Sequence, residues 1–452
     1  MIPAPPHPVD LLIEARWIIP VVPAGVTLED HAVAVSGGRI AALLPREEAH
    51  AAYVPARVIR LDRHVLMPGL VNAHTHAAMT LLRGFADDMP LMRWLRERIW
   101  PAEMEHVSPE FVYDGTLLAA AEMIRGGVTT ANDMYFFPDA AARAFADSGM
   151  RACVGMIAFE FPTRYASTAD DYLAKGLAAR DRYRDEARLS FCFAPHAPYT
   201  VSDATFQRVV SLAEELDVPI HLHVHETRDE VEESLRDHGM RPLERLLQLG
   251  VVSPRLAAVH AIELDHSEIE LLARHGASVV HCPSSNLKLA SGFAPVQRLI
   301  DAGVNVALGT DGAASNNRLD VLTELRLAAL LAKAVSRETE AFPAHAAIHA
   351  ATLAGAQALG LERIIGSIEA GKQADLIAVD FDDPSLTPCY VPASHIVYAT
   401  ERSNVSDVWV GGEQLLSAKR HCAGKMADEH SAALEAAVCM WQKRLVSLGF
   451  MR

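Results

Sequence analysis

Apolar and polar positions alternate through the first 65 residues, in DLLIEARWIIPVV (10–22) and again in HAVAVSGGRIAALLP (31–45), where Gly37-Gly38 marks a bend. A period of two predicts antiparallel sheet with one buried face. From Pro68 the pattern changes to short apolar runs separated by stretches of helical spacing: LMPGLVNA (66–73), VTTAND (128–133), RACVGMIA (151–158), RLSFCFA (188–194), VPIHLHV (218–224), RLAAVHA (255–261), ASVVHC (277–282) and NVALGTD (305–311). Strand and helix alternating through eight such runs predict parallel strands with right-handed crossovers, closed as an α/β (β/α)8 barrel of the TIM type. After a helical stretch, AHAAIHAATLAGAQALG (344–360), alternation returns in KQADLIAVDF (372–381) and SDVWVGGEQLL (406–416). Each strand-rich end is short for a core of its own, so the two are expected to share one small β-sandwich. The expected organisation is 1–66 and 366–420 as the two parts of the sandwich, 67–365 as the barrel, and 421–452 as a tail that is helical from Asp428 to Leu448.

Composition fits this picture and narrows the function. With 50% hydrophobic and 22% charged residues among 452, the chain is that of a soluble globular protein, not a disordered or membrane-spanning one. The formal charge of −16 would repel phosphates and anionic head groups, so neither nucleic acid nor membrane is an expected partner. Six widely spaced cysteines (Cys153, Cys192, Cys282, Cys389, Cys422, Cys439) form no CxxC and read as reduced thiols. The start MIPAPPHPVD lacks the basic and apolar regions of a signal peptide, and the expected compartment is the cytoplasm. Apolar terminal segments would suit a homo-oligomer such as a dimer. The 21 histidines direct attention to metal and acid–base chemistry.

His74 and His76, in VNAHTH, lie at the end of the first barrel run, where side chains two residues apart face the same way and can meet one metal ion. A histidine content this high produces about one H-x-H by chance, so position is the stronger argument: catalytic groups in such barrels sit at the C-terminal ends of strands. The fifth run ends HLHVHE (221–226), with His221, His223 and His225 on one side of the strand and Glu226 just beyond. Spacing does not choose among the three, and a hydrogen-bonded core histidine is an equal reading for each. Runs six and eight end in His260 and Asp311, the latter also readable as a turn or helix cap. Three imidazoles and a carboxylate suit one Zn²⁺ or Fe²⁺ with a position open to water, whose pKa the metal lowers. Glu226 is placed to shuttle the proton, and His260 and Asp311 to orient the attacking oxygen. The fourth run, FAPHAPYT, offers His196 where a carbamylated lysine would bridge two metals, so a mononuclear site is expected. The zinc deaminase signature with P-C-x-x-C is absent.

The motifs PGLVNAHTH (68–76), HVHE (223–226), GTDGAASNN (309–317) and GSIEAGKQADLIAVD (366–380) resemble the amidohydrolase superfamily over roughly residues 8–420. LLRGFADDMPLMRWLRERIWPAE (81–103), APHAPYT (194–200) and SSNLKLASG (284–292) are similar to its 5′-methylthioadenosine/S-adenosylhomocysteine deaminase branch, to which triazine hydrolases are related. The resemblance implies His74, His76, His223 and Asp311 as metal ligands, Glu226 as acid/base and His260 beside the attacked carbon. It further implies Glu103 on the ribose hydroxyls, Trp94 and His196 lining the nucleoside pocket, and 81–103 as a lid. By themselves Trp94 reads equally as a packed helix aromatic and Glu103 as a solvated first-turn glutamate.

Relatives that accept S-adenosylhomocysteine typically carry an arginine near the end of the third strand, where this chain reads VGMIAFE (154–160), with Arg164 the nearest substitute. An apolar 5′ pocket containing Met156 or its neighbours would favour a methylthio group. The expected reaction is deamination of an adenine nucleoside at C6, 5′-methylthioadenosine foremost, with adenosine or S-adenosylhomocysteine as further substrates. The alternatives are another hydrolase on this site (a triazine chlorohydrolase, or a guanine or pterin deaminase) and a non-catalytic metal-binding scaffold. A triazine has no diol for Glu103 to bind, which favours the nucleoside.

Overall fold

Period-two stretches and continuous apolar runs separate into two sheets. The computed structural model describes residues 6–424 and 428–446. Its strands are β1 (His7–Ile18), β2 (Leu28–Ser36), β3 (Arg39–Pro45), β4 (Tyr53–Pro68), β5 (Leu70–Thr75), β6 (Val128–Asp133), β7 (Arg151–Ala158), β8 (Leu189–Pro195), β9 (Ile220–Val224), β10 (Leu256–His260), β11 (Ser278–His281), β12 (Asn305–Leu308), β13 (Leu376–Asp380), β14 (Val405–Val410), β15 (Glu413–Ser417) and β16 (Arg420–His421).

All eight expected runs appear as β5 to β12, pairing in sequence order in one parallel sheet. These strands are buried on both faces, which is why they read as unbroken apolar runs. The sheet closes between its first and last strands. Asn72 donates to Thr310 Oγ1 at 2.8 Å and accepts from the Thr310 N–H at 2.9 Å, while the N–H groups of Thr310 and Asp311 reach the His74 carbonyl at 3.1 and 3.0 Å. The result is a (β/α)8 barrel. Its inner layer is built from small side chains, Val71, Ala73, Cys153, Cys192, Ala257 and Cys282 among them, so three of the six free thiols serve as small hydrophobes in the core. Strand ends lead into helices with side-chain caps, such as Thr227 before Arg228–His238 and Asp265 before His266–Arg274.

The run LMPGLVNA is divided. Leu66 to Pro68 end β4 in the second sheet, Gly69 turns the chain, and the barrel strand begins at Leu70. A Cβ at Gly69 would lie 2.1 Å from Thr129 Oγ1, so only glycine fits this crossing.

The second sheet is drawn from both chain ends, in the order β16-β15-β14-β13-β4-β1-β2-β3. It curls onto itself. The Gly37-Gly38 turn meets the Gly411-Gly412 turn, Ile40 N–H reaches the Lys372 carbonyl at 2.8 Å, and Val35 and Ile40 share a core with Leu376 and Trp409. This is the sandwich core that neither end could bury alone. Arg151, on barrel strand β7, joins the two units through a two-pronged buried ion pair with Asp375 at 2.8 and 3.1 Å. The tail helix, Asp428–Val446, docks on the barrel helix Pro109–Arg125 through Trp441, which stacks edge-on against Phe111 and donates to Asp114 at 2.8 Å. Residues 425–427 and 447–452 of the expected tail lie outside the described residues. No described helix is long and apolar enough to cross a membrane.

Candidate metal centre and active site

β5, β9 and the turn after β12 bring His74, His76, His223 and Asp311 to one point at the C-terminal mouth of the barrel, their ligand atoms within 4.8 Å of one another. His74 Nε2 and His76 Nε2 lie 3.1 and 3.2 Å from Asp311 Oδ1, and His223 Nε2 lies 3.2 Å from His74 Nε2. Neighbouring donors of a tetrahedral zinc bonded at about 2.0–2.1 Å stand roughly 3.3 Å apart, so the separations fit one such ion.

The remaining ring nitrogens explain which atoms point inward. His76 Nδ1 donates to the Met134 carbonyl at 2.6 Å and His223 Nδ1 to the His196 carbonyl at 2.8 Å, so in the neutral ligand form both rings turn an Nε2 lone pair to the centre. Burial holds His74 down to about 4 and His223 well below the usual imidazole range, the neutral state a ligand requires. Burial opposes charge on Asp311 too, but the imidazoles of His74 and His76 beside it keep its carboxyl well below the ordinary range, and its charge in turn raises His76 to about 9, so a proton on His76 Nε2 and a cation compete for the same point. Ser285 and Ser315 each donate to Asp311 Oδ2 at 2.6 Å, reserving Oδ1 for the centre. An ionised carboxylate facing converging lone pairs is a cation site by its chemistry.

Of the three histidines of HLHVHE, His223 is the one that joins the cluster. His221 lies behind the centre, its Nε2 2.8 Å from His74 Nδ1. His225 does not share their side: it lies past the end of β9 with φ of 55°, and its ring is turned away to the Glu263 carbonyl (2.9 Å) and the Leu243 N–H (3.1 Å). His281 is buried at the end of β11 and lines a separate small cavity.

One cavity opens over the cluster, and Trp94, Glu103, His196, Glu226, His260 and Asp311 all line it. The expected lid stretch forms a largely helical roof from Leu91 to His106, with a wider π turn at Leu95–Ile99 that lets both Trp94 and Glu103 face the cavity. Glu226 stands 3.8 Å from His260 Nε2, and burial raises its carboxyl, which suits a group that must hold and deliver a proton. Glu103 is partly open to the cavity, but the walls around its carboxyl push it up to about 7. His196 stacks on Phe159 with ring centres 4.6 Å apart.

Sequence reasoning missed Tyr135, whose hydroxyl donates to Glu103 at 2.8 Å, and Asp133, which accepts from the Ala77 N–H at 2.7 Å. Both sit at or just after the end of β6, where the strand-end rule would have found them. Met156 lines neither the cavity over the cluster nor the compartment beside it: it is buried beneath Gly176. Its neighbour Phe159, with Trp100, Phe136, Phe161 and Tyr165, walls a second compartment of about 270 Å³ that opens beside Glu103. Arg164 stands at the wall of that compartment with its guanidinium on the Glu105 carbonyl, and Glu160 is engaged by Ser202 and Thr205.

A His/Asp cluster at the C-terminal mouth of a (β/α)8 barrel defines a metal-dependent barrel protein. The chain belongs to the amidohydrolase family, whose sequence model matches residues 65–415. It is 48% identical over 411 residues to a 5-methylthioadenosine/S-adenosylhomocysteine deaminase of Teredinibacter turnerae, covering 91% of this chain and 93% of the relative. The protein of that name from Saccharophagus degradans is 45% identical, covering 97% of each. The crystal structure of an adenosine deaminase from Xanthomonas campestris with bound zinc superimposes with a TM-score of 0.95 at 51% identity, covering 98% of this chain and all of that one.

Proposed function

We propose that this protein is a zinc-dependent aminohydrolase that converts adenine nucleosides, 5′-methylthioadenosine foremost, to the inosine analogues with release of ammonia. The observation that carries the reading is one cavity that joins the His74–His76–His223–Asp311 cluster to Glu226, His260, His196 and Glu103. The deaminase relatives agree with it.

Zinc held by His74, His76, His223 and Asp311 would supply Lewis acidity, lowering the pKa of a water at the site. Glu226 takes a proton from the attacking water and delivers it to N1 of the purine, so that C6 accepts the oxygen. His260 and Asp311 hold that oxygen as the tetrahedral centre forms, and the water's second proton, passed from the C6 hydroxyl to the amino nitrogen, lets ammonia leave as the C6 carbonyl forms. Trp94 and His196 border the base, and the Glu103 carboxylate, oriented by Tyr135, accepts from both ribose hydroxyls. The aromatic compartment beside Glu103 receives the 5′ group. Its apolar walls suit a methylthio group, and Arg164 is the cation there for an amino acid carboxylate.

The test is a spectrophotometric assay of metal-analysed protein on 5′-methylthioadenosine, adenosine, S-adenosylhomocysteine and atrazine at equal concentration. Turnover of the first with about one zinc per chain is expected, with a lower kcat/KM for S-adenosylhomocysteine. Comparable values for those two would remove the 5′ preference. Turnover of atrazine alone would overturn the nucleoside reading.

A further inference from the structure

His260 ends β10 with its Nε2 toward Glu226, and its other ring nitrogen, Nδ1, lies 2.8 Å from Asn286 Oδ1 on the short helix Pro283–Lys288. An amide oxygen only accepts, so this contact places a ring proton on Nδ1, and in the neutral ring Nε2 is then the lone pair facing the cavity. The opposite amide orientation would offer an N–H to Nδ1 and move the ring proton to Nε2, where it would point at the reaction centre. What orients the amide therefore decides what His260 offers the attacking oxygen.

On its far side Asn286 has a buried Nδ2 with no partner, and His281, buried at the end of the neighbouring strand β11, has no partner on either ring nitrogen. Asn286 and His281 line the inner end of one small cavity of about 10 Å³, walled mainly by apolar residues such as Leu287, Val296 and Leu331 and partly open to the surface beside Phe293 and Val335. That volume is about one water, and a buried water needs two or more polar partners.

We infer that Asn286 and His281 are positioning residues for His260, coupled through a single buried water that accepts from Asn286 Nδ2 and donates to a His281 ring nitrogen. The water locks the amide with Oδ1 toward His260, and the lone pair on Nε2 is kept on the cavity side. His281 thus acts on the reaction from behind the active-site wall without touching substrate.

The inference rests on the proposed deaminase reading for its kinetic arm alone. In the zinc-loaded protein, Asn286→Leu is expected to lower kcat on 5′-methylthioadenosine by about 10-fold or more, with KM and bound zinc within about twofold of wild type. Asn286→Asp, which keeps an oxygen on Nδ1, should retain more activity than Asn286→Leu, and His281→Gln more than His281→Leu. A high-resolution crystal structure of the holoenzyme should place one water in hydrogen-bond range of both Asn286 Nδ2 and His281. The inference is overturned by an unchanged kcat in Asn286→Leu, by activity lost only in step with zinc, by His281→Gln no better than His281→Leu, or by a dry cavity. Failure of wild type to deaminate any nucleoside would instead sink the deaminase reading, leaving the crystallographic water to decide this one.

Discussion

The backbone N–H of Glu226 donates to one carboxylate oxygen of Glu230 at 2.8 Å, and the other oxygen takes the N–H of His225 at 2.9 Å. Glu230 lies in the first turn of the Thr227-capped helix, so the cap of that helix also holds the turn that aims Glu226 into the cavity. Burial pushes the Glu230 carboxyl up to about 8, against the opposing pull of the two backbone donors it accepts from.

Replacing Glu230 by alanine frees that turn. The expected outcome is a fall in kcat of about 10- to 100-fold with zinc still bound, because small misplacements of a catalytic group cost about this much. Steady-state kinetics with metal analysis checks it, and Glu230→Gln, which keeps one acceptor, should lie between alanine and wild type.

Glu226→Gln preserves the volume and the hydrogen bonds of the turn but cannot carry the proton. Turnover should drop by about 10²- to 10⁴-fold while zinc content is unchanged. Retained activity would take Glu226 out of the reaction.

Glu103 gives the site a pH dependence in binding. With its carboxyl raised to about 7, it is protonated below that pH and offers fewer acceptors to the ribose diol; above it, the carboxylate accepts from both hydroxyls. KM for ribonucleosides should therefore fall as pH rises through about 7 and then level off. In Glu103→Gln the KM should be raised and lose this step, and a wild-type KM flat across the range would count against the assignment.

Removing the metal should abolish turnover and lower Tm, since a ligand bound only to the native state stabilises it. Both should return on adding about one equivalent of zinc per chain. Asp311→Asn, which takes away the ionised member of the cluster, should weaken zinc retention on dialysis, read directly by elemental analysis.

Arg151 and Asp375 are almost fully buried, at 6% and 1% side-chain exposure, so removing one partner strands a charge. Arg151→Ala should cost about 3–5 kcal/mol in stability. Calorimetry should show the lowered Tm, and kcat well below the transition should be little affected, because the pair joins the barrel to the terminal sheet and takes no part in the cavity.

The eight barrel strands, the shared terminal sheet and the strand ends that carry His74, His76, His260 and Asp311 were legible from the chain, because hydrophobic period is a local property and the barrel places chemistry at one end of its strands. HLHVHE could not be resolved the same way. Its three histidines have near-identical local sequence, and His223 is selected by contacts remote in the chain: the His196 carbonyl that holds its Nδ1, His74 beside its Nε2, and the left-handed backbone that turns His225 away. Tyr135 behind Glu103 and Asn286 behind His260 were hidden for the same reason, since an ordinary polar side chain gains its role only from the partner it meets. Period and strand-end placement come from the chain's own covalent repeat. Ring orientation, proton position and the choice of ligand come from packing between segments far apart in sequence.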